Sequence, residues 1–398
     1  MQLSIGAGHP GLYNPLVPEL LEQLTQQINT AQTLGEAQVC QAVEQLASEK
    51  VSALLKADFL AALSKKGETP GEIAAFARAL REMSIQPPIE YDWRASREIL
   101  DVVGTGGDRL STFNISTTVA ILCAAAGVAV AKHGNRAMTS SVGSADVIEA
   151  LGIRVDLSPA DAAQALRELG FAFFFAPNFH PAFKNIAPAR KLCAARGQRT
   201  IFNLLGPLLN PARPSAMLVG VPRPELCEPM ARALQSLGAR RGMAVCGSVE
   251  SKVQSPKSKA ESDLAKSAIP AASKPCEDGR NPQSAIFLDE LSTLGANTIA
   301  EFYQERGFAV STLSLENFPL QPATLADLRG GDKIVNAEII RRILRGDERG
   351  PKRDAVLFNA AAALFVAGGA KSLAEGWDLA VATIDGGKAG AKLAELAR

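Results

Sequence analysis

Histidine and closely spaced cysteines are scarce in this chain. Its 398 residues include three histidines, His9, His133 and His180, which argues against a histidine-based metal centre. The six cysteines are scattered, and none stands in a CxxC motif. We therefore expect reduced thiols in a cytoplasmic protein, with neither a disulfide framework nor a zinc site.

Long apolar runs and an excess of one charge are also absent. The longest apolar run, residues 119–131, is too short to span a bilayer, and the N-terminus lacks the charged and apolar segments of a signal peptide. We therefore expect no membrane association. The formal net charge of +1 argues against a nucleic-acid binder. A content of 47% hydrophobic and 21% charged residues is typical of a globular protein with a large core.

The first part of the chain has the periodicity of helices. Between residues 16 and 83, apolar residues recur at three-to-four spacing, which predicts amphipathic helices. Thr69 is placed to cap a helix that has Pro70 at its first position. The stretch IQPPIEYDW, residues 85–93, reads as a linker because adjacent prolines cannot continue a helix. We predict a small helical domain over residues 1–88.

The pattern then changes to alternating strands and helices. REILDVVG, VAVAK, FAFFFAP and GMAVCG read as strands, and the segments between them read as helices, one of them with Ser144 as its N-cap. This alternation predicts a large α/β domain over residues 96–398, with a mainly parallel sheet flanked by helices. Residues 248–284 are rich in Ser, Ala, Lys and Pro and are predicted to be a flexible insertion.

The first predicted strand ends in a glycine-rich turn, GTGGD, residues 104–108. Glycines let a ligand touch the backbone, and exposed N–H groups at a helix start favour an anion such as phosphate. The turn lacks the lysine of a P-loop, the last glycine of a Rossmann fingerprint and the serine of a nucleophile elbow. An ordinary strand-to-helix turn remains the alternative, since such turns need glycine as well.

A second polar cluster, KHGNRAMTSSVGSAD, follows the next strand at residues 132–146. The carboxyl ends of parallel strands meet at one edge of a sheet, where ligands bind. Lys132, Asn135, Arg136, Ser140 and Ser144 offer donors for a ligand with several phosphates. The alternative for each of them alone is a solvated surface.

The stretch FLDELST places Asp289 and Glu290 side by side after an apolar run. Adjacent carboxylates suit Mg²⁺, which prefers oxygen ligands and often bridges to substrate phosphates. A helix N-terminus, where acids are also favourable, is the alternative.

Taken together, these motifs closely resemble the anthranilate phosphoribosyltransferase family. GTGGD, TFNIST, KHGNR, GSADVIEALG, FAPNFHPAF and RTIFNLLGPLLNP carry the resemblance, which runs from about Leu24 to near the C-terminus. It implies a nucleoside phosphorylase/phosphoribosyltransferase class II-like architecture and a cytoplasmic homodimer. Dimerisation would use the small helical domain, which helices around residues 181–210 would complete. The implied reaction, in tryptophan biosynthesis, is Mg²⁺-dependent transfer of the phosphoribosyl group from phosphoribosyl pyrophosphate to the amine of anthranilate, releasing pyrophosphate.

The resemblance also implies site residues. Those implied for phosphoribosyl pyrophosphate are Gly104, Gly106, Gly107, Asp108, Thr112, Asn114, Ile115, Ser116, Thr117, Lys132, His133, Gly134, Asn135, Arg136, Ala137, Met138, Thr139, Ser140 and Ser144. Those implied for Mg²⁺ are Ser116, Asp289 and Glu290. Those implied for anthranilate are Gly104, His133, Asn135 and Arg190. Arg196, Arg199 and Lys191 are alternatives to Arg190 as the partner of the carboxylate, and His133 is alternatively a structural hydrogen-bonding residue.

The chemistry of this reaction fits the composition. Mg²⁺ and oriented N–H donors stabilise a departing pyrophosphate, and a neutral aromatic amine held close can attack without a strong general base. A guanidinium matches the geometry of the anthranilate carboxylate. Two other functions are kept as alternatives: an enzyme resembling pyrimidine-nucleoside phosphorylases, and a non-catalytic relative that binds nucleic acid. Intact motifs and a net charge near zero argue against the latter.

Overall fold

The computed structural model describes residues 20–108, 110–137, 142–249, 286–303 and 307–398. Met138, Thr139, Ser140 and residues 250–284 of the predicted insertion lie outside the described residues. Within the described ranges, no helix is both long and apolar enough to cross a membrane.

Four amphipathic helices begin the described chain. They are α1 (Leu20–Asn29), α2 (Glu36–Ala47), α3 (Ala53–Lys66) and α4 (Pro70–Glu82). The predicted cap of α4 is confirmed, because the Thr69 side chain accepts a hydrogen bond from the Glu72 amide at 3.2 Å. Glu72 in turn accepts from the backbone N–H groups of Thr69 at 2.9 Å and of Leu34 at 3.0 Å. One carboxylate therefore joins the starts of two helices.

The predicted linker is partly helical. A short helix, α5 (Tyr91–Ala95), begins inside the stretch that was expected to have no regular structure. The preceding helix, α4, ends at Glu82, before the adjacent prolines Pro87 and Pro88 are reached, and α5 begins three residues after Pro88.

An eight-stranded sheet forms the centre of the molecule. Its strands are β1 (Ile99–Gly104), β2 (Ala129–Gly134), β3 (Phe171–Phe175), β4 (Ala216–Gly220), β5 (Arg241–Val249), β6 (Ile286–Leu288), β7 (Asn297–Tyr303) and β8 (Gly307–Leu313). The order is β3-β2-β1-β4-β5-β7-β8, and β6 pairs with β5. The first five strands are parallel, and β6, β7 and β8 pair antiparallel. The predicted mainly parallel sheet is confirmed.

Helices cover both faces of this sheet. They are α6 (Ile115–Ala125), α7 (Ser144–Ala150), α8 (Pro159–Leu169), α9 (Ala176–Phe179), α10 (Phe183–Ala195), α11 (Phe202–Leu205), α12 (Cys227–Ser236), α13 (Lys333–Arg345), α14 (Pro351–Val366), α15 (Leu373–Asp385) and α16 (Lys388–Leu396). Short 3-10 turns lie at Gly206–Leu209, Pro224–Leu226 and Leu325–Leu328.

Alternating side chains of the strands divide the core in two. In β4, Leu218 packs with α6 and the C-terminal helices, whereas Met217 and Val219 pack with the N-terminal helices and α10. This period of two follows from the pleat of a strand. On the second side, the Lys56 ammonium of α3 donates to the Asn185 carbonyl of α10 at 2.9 Å. The helical domain therefore rests on one face of the sheet, through α10. The boundaries at residues 88 and 96 stay a prediction.

Two local predictions were wrong. Ser144 is the first residue of α7 rather than its N-cap; Gly143 is the N-cap, and Asp146 accepts its N–H at 3.0 Å. Ser248 and Val249, assigned to the insertion, belong to β5 and pair with Phe287 and Ile286. The composition of the insertion begins before the strand ends, and the antiparallel pairing with β6 that keeps these two residues in the strand comes from a distant part of the chain.

Candidate active site

The carboxyl ends of β1 and β2 open into one cavity of about 480 Å³. Most of the predicted site residues line it. They are Gly104, Gly106, Asp108, Thr112, Asn114, Ile115, Ser116, Thr117, Lys132, His133, Gly134, Asn135, Arg136, Ala137, Ser144, Arg190, Asp289 and Glu290. Gly107 does not line the cavity, but its N–H lies 3.4 Å from the Asp289 carboxylate. Parallel pairing of β1 with β2 is what brings the two polar clusters together.

The glycine-rich turn holds a carboxylate of the chain itself. The Gly106 N–H donates to Oδ2 of Asp289 at 2.5 Å, and the Thr105 hydroxyl lies 3.4 Å from the same oxygen. One carboxylate oxygen of Asp108 accepts from the N–H of Leu110, two residues later, at 3.1 Å. The backbone of the turn therefore donates to the Asp289 carboxyl in this structure, and phosphate binding at the turn stays a prediction.

Three glycines make room for this acidic segment, two at the ends of β1 and β4 and one near the end of β5. A Cβ added at Gly104 would lie 2.8 Å from Oδ2 of Asp289, and one at Gly220 would lie 1.5 Å from its backbone oxygen. A Cβ at Gly247 would lie 2.7 Å from the Glu290 carbonyl oxygen. The roles of Gly220 and Gly247 were missed. Their signal is a glycine that directly follows the apolar residues of a strand, in LVGVP and VCGS.

Asp289 and Glu290 lie in a bend after β6 and not at a helix N-terminus. Asp289 is 7% exposed. Burial is the largest cause that raises the pKa of Asp289, and the neighbouring charge of Asp108 is the second. Burial is the largest cause that raises the pKa of Glu290, and the charge of Asp289 is the second. Hydrogen bonding to the Ser116 backbone opposes this rise. Adjacent carboxylates whose charges are unfavourable without a partner are a donor set that fits a hard divalent cation.

Three His, Cys, Asp or Glu side chains do not converge on a common metal position anywhere in the described ranges. A cation at Asp289 and Glu290 would therefore take its other ligands from the Ser116 hydroxyl, from water or from a bound phosphate. That is the usual pattern for Mg²⁺, which keeps several ligands outside the protein.

Lys132 is the buried cation beside this pair. Lys132 lies in β2 and is 1% exposed. Its ammonium donates to the Val102 carbonyl at 2.8 Å and lies 3.5 Å from the Ser116 hydroxyl. Burial lowers its pKa, while the charges of Asp101 and Glu290 raise it. A lysine held in this way presents its charge at the floor of the cavity.

Asp101 and Asn210 support the β2 end from behind, and both were missed. Asp101 is fully buried, and burial raises its pKa to about 6. Its carboxylate accepts from the Asn210 amide at 2.9 Å, and the same amide donates to the Ala131 carbonyl at 2.7 Å. The signal was the acid at the start of DVVGTGGD, an unusual residue inside a buried strand.

The Arg136 guanidinium is bonded within the protein. It donates to Asp146 at 3.1 Å and to Glu149 at 3.0 Å, both on α7. Asp146 also accepts from the Ala137 N–H at 3.0 Å. The backbone of this loop, and not a free guanidinium, is therefore what Arg136 offers to a ligand.

The other end of the cavity is aromatic and carries one cation. The Arg190 guanidinium lies 5.4 Å from the centre of the Phe202 ring, and Phe183 meets Phe202 edge-on at 5.8 Å. Burial lowers the pKa of Arg190, and no carboxylate of the described residues pairs with it. The three alternatives do not line the cavity: Arg196 pairs with Asp58 at 2.9 Å, and Arg199 and Lys191 are exposed.

His133 and His180 form a buried pair beside this wall. Their ring centres are 5.4 Å apart, and His180 stacks on Phe183 at 5.2 Å. Burial lowers the pKa of both rings, to about 4 for His180. His133 hydrogen-bonds the Gly206 backbone, and its Nε2 has no partner among the described residues. His133 thus holds the cavity wall and also keeps one free ring nitrogen.

The fold and the site define a class of glycosyl transferase. The description "Glycosyl transferase family, helical bundle domain" matches residues 18–84, and "Glycosyl transferase family, a/b domain" matches residues 96–263 and 283–390. These two matches together cover most of the chain.

The similar proteins narrow the class. Anthranilate phosphoribosyltransferase of Geobacter sulfurreducens is 41% identical over 91% of this chain and 94% of its own, and that of Moorella thermoacetica is 41% identical over 94% and 96%. The crystal structure of anthranilate phosphoribosyltransferase from Thermus thermophilus has a TM-score of 0.76 at 38% identity, covering 94% of this chain and 98% of that one. The chain belongs to the anthranilate phosphoribosyltransferase family. The Saccharomyces cerevisiae structure in complex with PRPP and Mg, at 24% identity and a TM-score of 0.75 over 95% and 97% of the chains, shares the fold.

Proposed function

We propose that this protein transfers the phosphoribosyl group of phosphoribosyl pyrophosphate to the amine of anthranilate, with Mg²⁺ bound at Asp289 and Glu290. One observation carries the proposal. A single cavity has a glycine-rich turn, a buried acid beside a half-buried one and a buried lysine at one end, and an arginine on an aromatic wall at the other.

The polar end suits the phosphorylated sugar. The predicted ligands there are the backbone of Gly104, Gly106 and Gly107, the first turn of α6 and the loop after β2. The exposed N–H groups at the start of α6 favour an anion through the helix dipole. Thr117 supports this assignment because its buried hydroxyl has no partner among the described residues. Lys132 adds a positive charge close to the leaving group.

Ser116, Asp289 and Glu290 would hold Mg²⁺. Bound there, Mg²⁺ would neutralise charge that develops on the departing pyrophosphate. Asp289 must then leave the Gly106 N–H, its partner in this structure, or share it with a phosphate oxygen. The oriented backbone donors of the turn supply the remaining stabilisation of the leaving group.

The aromatic end suits anthranilate. Phe183 and Phe202 match a planar ring, and the half-buried Arg190 guanidinium offers two parallel donors to a carboxylate. The neighbouring histidines stay neutral because burial lowers their pKa values. They therefore add no competing charge for the carboxylate. The amine of anthranilate is uncharged near pH 7, so attack on the sugar requires positioning rather than a strong base.

The decisive experiment follows the fluorescence of anthranilate with enzyme, phosphoribosyl pyrophosphate and Mg²⁺, with EDTA as a control. We expect the signal to fall only when all components are present. Replacement of the acid pair, Asp289→Asn with Glu290→Gln, should reduce turnover by at least about 100-fold, the usual scale for a lost charge-stabilising group, with little loss of thermal stability.

A matched control is the other adjacent acid pair of the described chain, Asp347→Asn with Glu348→Gln, which lies outside the cavity. We expect it to keep wild-type turnover. Full activity of the Asp289 and Glu290 double variant would contradict the metal assignment. Phosphorolysis of uridine or thymidine without consumption of anthranilate would favour the nucleoside phosphorylase alternative. Homodimerisation through the helical domain and a cytoplasmic location stay predictions.

A further inference from the structure

We infer that two buried asparagines, Asn297 and Asn359, are positioning residues that hold the acid pair in place for its cation. The inference rests on the proposed function, because it concerns the same metal site. Neither asparagine lines the cavity. Both act on the two residues that directly follow Glu290.

Asn359 pairs with Leu291 from the middle of α14. Its Oδ1 accepts from the Leu291 N–H at 2.9 Å, and its amide donates to the Leu291 carbonyl at 2.8 Å. The same amide donates to the Ala355 carbonyl, one turn earlier in α14, at 2.9 Å. Asn359 is completely buried. The two polar atoms of the Asn359 side chain thus bond the backbone N–H and the backbone carbonyl of Leu291.

Asn297 makes the same kind of pair with the next residue. Its Oδ1 accepts from the Ser292 N–H at 2.6 Å, and its amide donates to the Ser292 carbonyl at 2.9 Å. A further bond reaches the Gly295 carbonyl at 3.2 Å. Asn297 is the first residue of β7 and is also completely buried.

These bonds replace a secondary structure that the acidic segment lacks. Leu291 and Ser292 belong to no helix or strand, yet they are 1% and 0% exposed. Buried backbone groups without partners are costly, so a segment of this kind needs donors and acceptors from elsewhere. The two asparagines supply them for both peptide groups.

The acid pair is held between two fixed points as a result. On one side, Leu288 ends β6 and pairs with Gly247 of β5. On the other side, Leu291 is bound by Asn359. Only Asp289 and Glu290 lie between these anchors. Their carboxylates can converge on one cation only while both anchors keep their positions, which makes Asn359 part of the support of the metal site.

Metal affinity is the direct test. Binding of Mn²⁺, used as a spectroscopic probe in place of Mg²⁺, is titrated by electron paramagnetic resonance in the presence of phosphoribosyl pyrophosphate and without anthranilate. We expect Asn359→Leu, which keeps the volume but removes both polar atoms, to weaken Mn²⁺ binding by about 10- to 100-fold, the usual effect of losing a group that supports a ligand. Raised Mg²⁺ should restore much of the turnover, while the KM for anthranilate stays unchanged.

The control is a buried apolar residue that does not line the cavity. Leu393→Ala in α16 removes core packing and lowers thermal stability, but it should leave Mn²⁺ affinity and Mg²⁺ dependence at wild-type values. Asn297→Ala is the second test variant. If Asn359→Leu does not fold, the Mn²⁺ affinity of Asn297→Ala is compared with that of Leu393→Ala instead. Weaker Mn²⁺ binding in either asparagine variant, beside normal binding in Leu393→Ala, supports the inference.

Two results would overturn it, and they are distinguishable. Wild-type Mn²⁺ affinity in a folded asparagine variant would show that the asparagines do not support the metal site, and it would leave the proposed function intact. Equal Mn²⁺ binding by the wild type and by the variant with Asp289→Asn and Glu290→Gln would remove the metal site itself. The inference would then fail together with that part of the proposed function.

Discussion

Replacement of Gly220 by alanine tests how the acidic segment is seated on the sheet. Gly220 ends β4, and the backbone of Asp289 passes directly over it. An added Cβ would lie 1.5 Å from the Asp289 carbonyl oxygen and 2.3 Å from its carbonyl carbon. Both atoms are backbone, so rotation of a side chain cannot relieve the overlap.

The size of the effect follows from these distances. Ordinary contacts begin near 3.4 Å, so the peptide must move by about 2 Å to avoid the new methyl group. A displacement of about 1 Å at a catalytic group commonly costs about 100-fold in rate. We therefore expect Gly220→Ala to lower kcat/KM by at least about 100-fold, and the forced packing to reduce the free energy of unfolding by about 1–3 kcal/mol.

The assay is the loss of anthranilate fluorescence at several Mg²⁺ concentrations, together with thermal unfolding. Gly71→Ala is the matched control, because Gly71 lies in the first turn of α4 and its added Cβ meets nothing closer than 4.0 Å. Alanine is also the better helix former, so this variant should be as stable as the wild type and as active.

Wild-type activity and stability in Gly220→Ala would refute the reasoning. Such a result would mean that the acidic segment sits higher above the sheet than in this structure. Loss of stability with normal activity would refute one part of it, namely that the position of Asp289 over β4 determines its catalytic position.

Three other predictions concern single side chains. His180→Phe should reduce acid sensitivity: burial lowers the His180 pKa from 6.5 to about 4, so its share of stability is lost as pH falls from 6.5 towards 4, about 2 kcal/mol at pH 5 by urea unfolding. Arg190→Lys should raise the KM for anthranilate about 10- to 100-fold with the KM for phosphoribosyl pyrophosphate unchanged, whereas Lys191→Ala should have no kinetic effect. Asn336→Ala, which removes the 3.0 Å bond to the Asn114 side chain, should raise the KM for phosphoribosyl pyrophosphate about fivefold. Acid sensitivity equal to that of the wild type would contradict the prediction for His180→Phe. Unchanged KM values would contradict the predictions for Arg190→Lys and Asn336→Ala.

The parallel part of the fold could be predicted because its signals are local. A strand such as β2 is short and apolar and is followed by a glycine-rich or polar turn, and a helix comes next. Right-handed parallel connections then place the strand ends at one edge. The convergence of Lys132 with Asn114 follows from that rule alone, without any knowledge of distant contacts.

The antiparallel part could not be predicted in the same way. β8 is an edge strand whose side chains are mostly exposed, so its sequence lacks the apolar alternation that marks a half-buried strand. β6 is only three residues long. Its pairing with β5 joins residues on either side of a 36-residue stretch, residues 250–285, and no local pattern indicates such a partner.

The supporting asparagines were missed for a related reason. Asn359 lies 68 residues from Leu291, and it sits in a helix where an asparagine carries no special local meaning. A polar residue inside an otherwise apolar run, NAAAALFV, was the available signal, since a buried amide requires partners. The signal indicates that a partner exists but does not identify it.

The glycine-rich turn shows how one residue pattern can have two causes at once. From the sequence, the glycine-rich backbone of GTGGD is expected to bind a phosphate. In the structure, Gly104 is bare because the Asp289 carboxylate lies against it, and the Gly106 N–H binds that same carboxylate. Both uses need an anion-binding backbone without Cβ atoms. Under the proposed function, the carboxylate that would hold Mg²⁺ and the phosphate of the substrate would use one surface, and the turn would bring together the two groups that a bridging cation joins.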